Sequence, residues 1–128
     1  MRVKRFRAWR PAGEYVEEVA SVPYDVVDRE QAIALAEGKP NSFLHVVRAE
    51  IDLPEVEDLY ADIVYKTATA NLNRLMNEGI LIREEEGALY LYSQRMEDHI
   101  QYGIVAGCHV EDYEKGDIKI HEKTRRAK

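Results

Sequence analysis

The feature that most constrains this chain is the segment after Pro54, "EVEDLYADIVYKTATANLNRLMNEGIL". In it Leu59, Ile63, Ala70, Leu72, Leu75 and Met76 recur at helical spacing, and Gly79 stands where a helix C-terminus favours a residue free to turn left-handed. This pattern predicts the longest helix of the chain. A second helix is predicted over "REQAIALAEG", because Asp28 is a good N-cap with Gln31 three residues on, and Gly38 closes the stretch.

Around these two helices the remaining segments look extended. Pro23 disfavours the helical region for Val22, so "SVPYDVV" is expected to be extended or a turn. "NSFLHVVRAEIDLP" is enriched in β-branched and aromatic residues at Phe43, Val46, Val47 and Ile51 between Pro40 and Pro54, which predicts a strand or a strand with a loop. "RVKRFRAWR" is compatible with one short strand closed by Pro11 and Gly13, and "ALYLYSQRM" and "IQYGIVAGCHV" flank "EDH" as a hairpin. "EDYEKGD" reads as a turn before "IKI", after which a further helix begins. The sum is one α+β domain with a mixed or antiparallel sheet and two main helices.

At 128 residues, 45% hydrophobic and 33% charged, the chain can bury a core and has no low-complexity tract. A net charge of -6 disfavours a general nucleic-acid binder, although basic clusters at Arg2 to Arg10 and Lys123 to Lys128 leave room for a local anion site. No apolar run approaches a membrane span or a secretory core, which places the protein in the cytoplasm. The single cysteine, Cys108, fits that compartment.

The densest chemistry lies in "HEKTRR". His121 beside Glu122, Thr124 and Arg125 offers an acid or base next to a planar cation suited to phosphate or carboxylate. The zinc-protease spacing H-E-x-x-H is not met, since Arg125 occupies the second ligand position. A polar helix start with a basic end is the plain alternative. In "VPYDV", Asp25 and Tyr24 sit on a proline-fixed turn, where an aspartate bonds its own backbone more often than it binds a substrate. In "FLHVVRAEID", His45 and Arg48 would face opposite sides of a strand unless it bends, and an Arg48–Glu50 ion pair is the simpler expectation. Cys108 and His109 are neighbours that a strand would point apart, so Cys108 is expected in the core. The scattered His45, His99, His109 and His121 give no zinc spacing. Tyr60, Tyr65, Tyr90, Tyr92, Tyr102 and Tyr113 are read as core residues rather than a stacking platform for bases.

Taken together in order and spacing, "VASVPYDVV", "NSFLHVVRAEIDLP", "GILIREEEGALYLYSQ", "QYGIVAG" and "YEKGDIKIHEKTR" resemble the N-terminal part of the prokaryotic family known as domain of unknown function 1015. The resemblance covers nearly the whole chain. Family members continue into an aspartate-glycine-histidine-histidine-arginine motif that is similar to one in free-serine kinases related to the ParB and sulfiredoxin fold. This implies transfer of a phosphoryl group between a nucleotide and serine or phosphoserine. The motif is absent from this sequence, so the resemblance implies an N-terminal fragment that is inactive by itself. "GCH" is similar to a sulfiredoxin signature, but Val110 replaces the arginine found there, and that activity is not carried over.

The positions matched to the family are Pro23, Tyr24 and Asp25, then His45, Arg48 and Glu50, then His121, Glu122 and Thr124. The expected catalytic groups are Asp25, His121 and Glu122; the expected substrate or phosphate contacts are Tyr24, His45, Arg48, Glu50, Thr124 and Arg125. No dedicated metal ligand is assigned, and ADP or ATP with magnesium is the implied cofactor. The implied partners are a small-molecule substrate and the nucleotide, with no membrane. The alternative is a noncatalytic binding or protein-interaction module in which "HEKTRR" is a docking tail.

Overall fold

The computed structural model describes residues 1–119. Among them the class is α+β with antiparallel pairing throughout, as expected. Two compact units divide the chain: one spans Trp9–Arg83, and the other joins Met1–Ala8 to the chain from Glu84 onward.

The Trp9–Arg83 unit is mostly helical. Strand β2 (Trp9–Pro11) pairs antiparallel with β3 (Leu81–Arg83), in the register Trp9↔Arg83 and Pro11↔Leu81. Between them come the four-residue α1 (Val16–Val19), α2 (Arg29–Ala36), the four-residue α3 (Leu44–Val47), a 3-10 turn over Ala49–Asp52, and α4 (Asp62–Asn77). α3 and the 3-10 turn both pack on α4. The core is Val19, Leu75, Ile80 and Leu81, with Tyr15, Phe43, Val46, Leu72 and Met76 packed around it. Burying a side chain such as Leu75, which is fully enclosed, stabilises the unit by about 1.5–3 kcal/mol.

Both predicted helices form where their caps say. The Asp28 carboxylate accepts from the Gln31 amide at 2.8 Å while the Gln31 side chain accepts from the Asp28 amide at 3.0 Å, a complete capping box. Gly79 takes φ of +72° after α4, the left-handed conformation that ends it. The apolar stripe of α4 is narrower than its spacing implied, because Ile63 and Ala70 are exposed, Leu59 precedes the helix, and Val64 and Leu75 are the buried positions.

One reading is overturned: "FLHVVRAEID" is helical, not a strand. β-branched content raises strand propensity only where a sheet is present to pack against. Here Leu44 is buried, Val46 and Phe43 pack on the core, and the Phe43 amide bonds the Val19 carbonyl at 2.9 Å.

In the other unit, β1 (Val3–Lys4) pairs with β6 (Gly107–Cys108), and β4 (Tyr90–Met96) forms the expected hairpin with β5 (His99–Val105). Glu97 in the two-residue turn has φ of +54°. The N-terminal stretch is thus two short strands, β1 and β2, rather than one, with a single bridge at Phe6 to Ala88 between them. "EDYEKGD", expected as a turn, carries α5 (Val110–Glu114) before Gly116 turns left-handed at φ of +77°.

Cys108 is exposed rather than in the core, and so are Tyr60, Tyr65, Tyr92, Tyr102 and Tyr113. A two-stranded hairpin has no second layer to bury its side chains, which is why the tyrosines of β4 and β5 remain open. Tyr90 alone of the six is half-buried: its ring lies 5.0 Å from that of Phe6, and its hydroxyl donates to the Phe6 carbonyl and accepts from the Ala8 amide. Among the described residues no helix is long and apolar enough to cross a membrane.

Candidate functional site

The helical unit gathers two of the three motifs singled out above. Arg48 follows α3, and its guanidinium donates to the Glu50 carboxylate at 2.6 Å, to the Tyr24 carbonyl at 3.0 Å and to the Val27 carbonyl at 3.1 Å. One side chain therefore fastens the Pro23–Tyr24–Asp25 turn to the 3-10 turn that carries Glu50. The expected Arg48–Glu50 pair forms, and its carboxylate is almost fully enclosed, with 7% of the side chain exposed. A buried carboxylate needs such a partner, since desolvation costs it several kcal/mol otherwise. On the fastened turn Asp25 is exposed.

His45 lies on α3, three positions before Arg48, so the helix removes the opposite-face problem that a strand would have posed. Its Nδ1 is 2.8 Å from Asp52 Oδ1, and its Nε2 is 3.2 Å from the Lys39 carbonyl. Both partners are acceptors, so a neutral ring donates to one of them and an imidazolium to both. Asp52 is steadied in turn by Asn71 of α4, which donates to its second oxygen at 2.8 Å and to the His45 carbonyl at 2.7 Å. His45, Asp52 and Asn71 thus form a chain of the kind that orients an acid or base. His45 and Asp52 line a cleft of about 210 Å³ with Ile33, Ala36, Glu37 and Ile51.

Asp52 and Asn71 were not picked out as partners of His45. For Asp52 the signal was spacing: it lies seven positions after His45, and α3 with the 3-10 turn that follows brings the two together where an extended segment could not; nothing in the sequence marked Asn71.

His121, Glu122, Thr124 and Arg125 lie outside the described residues. Among the described residues no three His, Cys, Asp or Glu side chains gather as a metal site. The most perturbed carboxyl stands in the other unit: Asp112 of α5, 4% exposed, is gripped by the Arg2 guanidinium at 2.6 and 3.0 Å and by the Arg2 amide. Those hydrogen bonds, side chain first and backbone second, lower its pKa to about 2 and raise that of Arg2. Glu111 also meets Arg2, at 3.0 Å. This pair staples the N-terminus to α5 and is a structural contact that the sequence did not announce.

The model of a protein family described as a protein of unknown function, DUF1015, matches residues 3–128. No curated protein and no solved structure matches the chain.

Proposed function

The chain belongs to the DUF1015 family, and from that premise we propose that it supplies part of the site of a nucleotide-dependent phosphotransferase acting on serine, phosphoserine or a similar small molecule. The observation that carries the reading is the convergence at Arg48, which binds the Tyr24 turn to the Glu50 segment across more than twenty residues of sequence. Two separate family motifs are held as one construction, and that construction displays Asp25 and supports His45.

Phosphoryl transfer asks a protein to position donor and acceptor and to stabilise spread negative charge. Asp25 is the group to orient or deprotonate the acceptor hydroxyl, or to hold magnesium through an oxygen. His45, oriented by Asp52, is the group to exchange a proton or contact phosphate. His121, Glu122, Thr124 and Arg125 belong to the same proposal as phosphate and substrate contacts, and ADP or ATP with magnesium is the proposed donor. The similarity of the longer members' aspartate-glycine-histidine-histidine-arginine motif to free-serine kinases related to the ParB and sulfiredoxin fold is the reason for proposing serine as acceptor.

The test is a product assay on a longer family protein that carries that motif, with serine or phosphoserine and ADP or ATP with magnesium, alongside Asp25→Asn and His45→Gln. Loss of a general acid or base lowers kcat by roughly 100-fold or more, with the melting temperature retained. Full turnover in both variants would remove these residues from the chemistry. No turnover with any pairing, together with retained binding of phosphoserine, would move the family to the binding-module reading.

A further inference from the structure

A second cleft of the helical unit, about 260 Å³ in volume, opens between the end of α1 and the start of α3 and is not touched by the His45 chain except through one residue. Its apolar walls are Val22, Leu35 and Leu44, and its polar groups are Ser21, Lys39 and Ser42. Two of these are chemically unspent. Ser42 is 2% exposed, yet its Oγ only accepts, from the Leu44 amide at a long 3.4 Å, and its hydroxyl proton meets no acceptor among the described residues. A hydroxyl so enclosed ordinarily donates to something. The Lys39 ammonium likewise has no ion-pair partner among the described residues, in a chain of net charge -6 with acidic side chains in excess.

A point cation, a buried donor and a second hydroxyl around an apolar floor match a compact anion carried on a short carbon chain. We propose that this cleft receives a phosphate monoester of amino-acid size, with Lys39 pairing the phosphate, Ser42 and Ser21 donating to its oxygens, and Val22, Leu35 and Leu44 covering the carbon atoms. Lysine binds phosphate as a compact point charge. Pockets that hold small ligands combine apolar lining with a few convergent polar groups. Lys39 also connects the cleft to the neighbouring site, because its backbone carbonyl is the acceptor facing His45 Nε2. Occupancy at the Lys39 side chain is therefore expected to be felt at the His45 ring.

This inference deepens the phosphotransfer reading, but it is tested by binding without turnover, so that either can fail alone. The 128-residue chain, labelled with nitrogen-15, is titrated with O-phosphoserine, with inorganic phosphate and with serine. Saturable shifts at the amides of Ser21, Val22, Lys39, Ser42 and Leu44 with O-phosphoserine are expected, weaker ones with phosphate, and none of comparable affinity with serine. Lys39→Ala, at an exposed position that leaves the core alone, should weaken O-phosphoserine by about tenfold or more, the loss of one charge-assisted bond. Lys39→Arg should restore part of it. Shifts centred elsewhere, no saturable shift with any of the three probes, or equal affinity for Lys39→Ala would each overturn the proposal. Serine binding as tightly as O-phosphoserine would overturn the assignment of phosphate.

Discussion

Removing Arg48 tests whether one guanidinium holds the candidate site together. In Arg48→Ala the Glu50 side chain, 7% exposed, loses the group that balances its charge. The Tyr24 and Val27 carbonyls lose donors as well, but Tyr24 is exposed and Val27 half-buried, so water replaces most of what they lose. The dominant cost is the uncompensated carboxylate, and breaking a buried pair on one side costs about 3–5 kcal/mol. For a chain of this size that corresponds to a fall in melting temperature of roughly 10–20 °C. Against a total stability of about 5–15 kcal/mol, this is a large fraction, so the variant should remain folded only at low temperature.

The comparison that isolates the mechanism is the double variant Arg48→Met, Glu50→Leu. It removes both charges and fills similar volume, so it should recover most of the loss, since an apolar pair often replaces a buried ion pair at little cost. Glu50→Gln should fall between, at about 1–2 kcal/mol, because it keeps a neutral acceptor for the guanidinium. Urea unfolding followed by far-ultraviolet circular dichroism measures all three. If Arg48→Ala costs less than about 1 kcal/mol, or if the double variant is as unstable as the single one, the carboxylate is not the reason Arg48 matters and the reasoning fails.

Asp28→Ala removes the carboxylate that accepts from the Gln31 amide, the side-chain half of the capping box on an eight-residue helix, and leaves the backbone amide that donates to Gln31; it should cost about 1 kcal/mol in the same assay, and an unchanged midpoint would show that α2 is held by tertiary packing alone. The Asp112 carboxyl is lowered from 3.8 to about 2 by Arg2, so its contribution is full above pH 3.8 and is lost as pH falls towards 2. Asp112→Asn should flatten the dependence of melting temperature on pH in that window, and an identical slope would refute the assignment. Gly79→Ala places a side chain at φ of +72° and should destabilise by about 1–2 kcal/mol, whereas Gly13→Ala, with open space at its Cβ and no left-handed φ, should be neutral or slightly stabilising. Cys108 is exposed and should react with an aromatic disulfide reagent in the native protein as completely as in urea; protection in the native state would return it to the core.

Much of the local structure was legible because it is written in local rules. The Asp28 cap, the Gly79 terminus and the hairpin about Glu97 and Asp98 each depend on residues within a few positions of one another. What misled was the segment from Phe43 to Asp52, where composition favours a strand and the tertiary setting enforces a helix. That single difference changed the site: in a strand His45 and Arg48 diverge, and in a helix His45 reaches Asp52 while Arg48 reaches back to Tyr24. The motif residues could be named from the sequence, but their partners could not, because Asn71, Lys39 and Val27 have no chemistry that marks them in advance.

The same arginine logic explains how a unit containing several four-residue helices stays ordered. A helix of one turn cannot repay its own nucleation in water, and its connecting loops leave carbonyls without amide partners. Here guanidinium groups add donors to such loops. Arg29 donates to the Val56 carbonyl and, beside a backbone amide in each case, to the carbonyls of Glu50 and Leu53; Arg74 donates to the Pro40 carbonyl and the Asn41 side chain, and Arg48 to the carbonyls of Tyr24 and Val27. Each is a planar fork that one residue extends across two or more loop positions, which a lysine could not match. Arg29, Arg48 and Arg74 are therefore joined to loops, whereas Lys39, beside a cleft, has no ion-pair partner among the described residues. The assignment of anion binding to Lys39, rather than to the more conspicuous arginines, follows from that division.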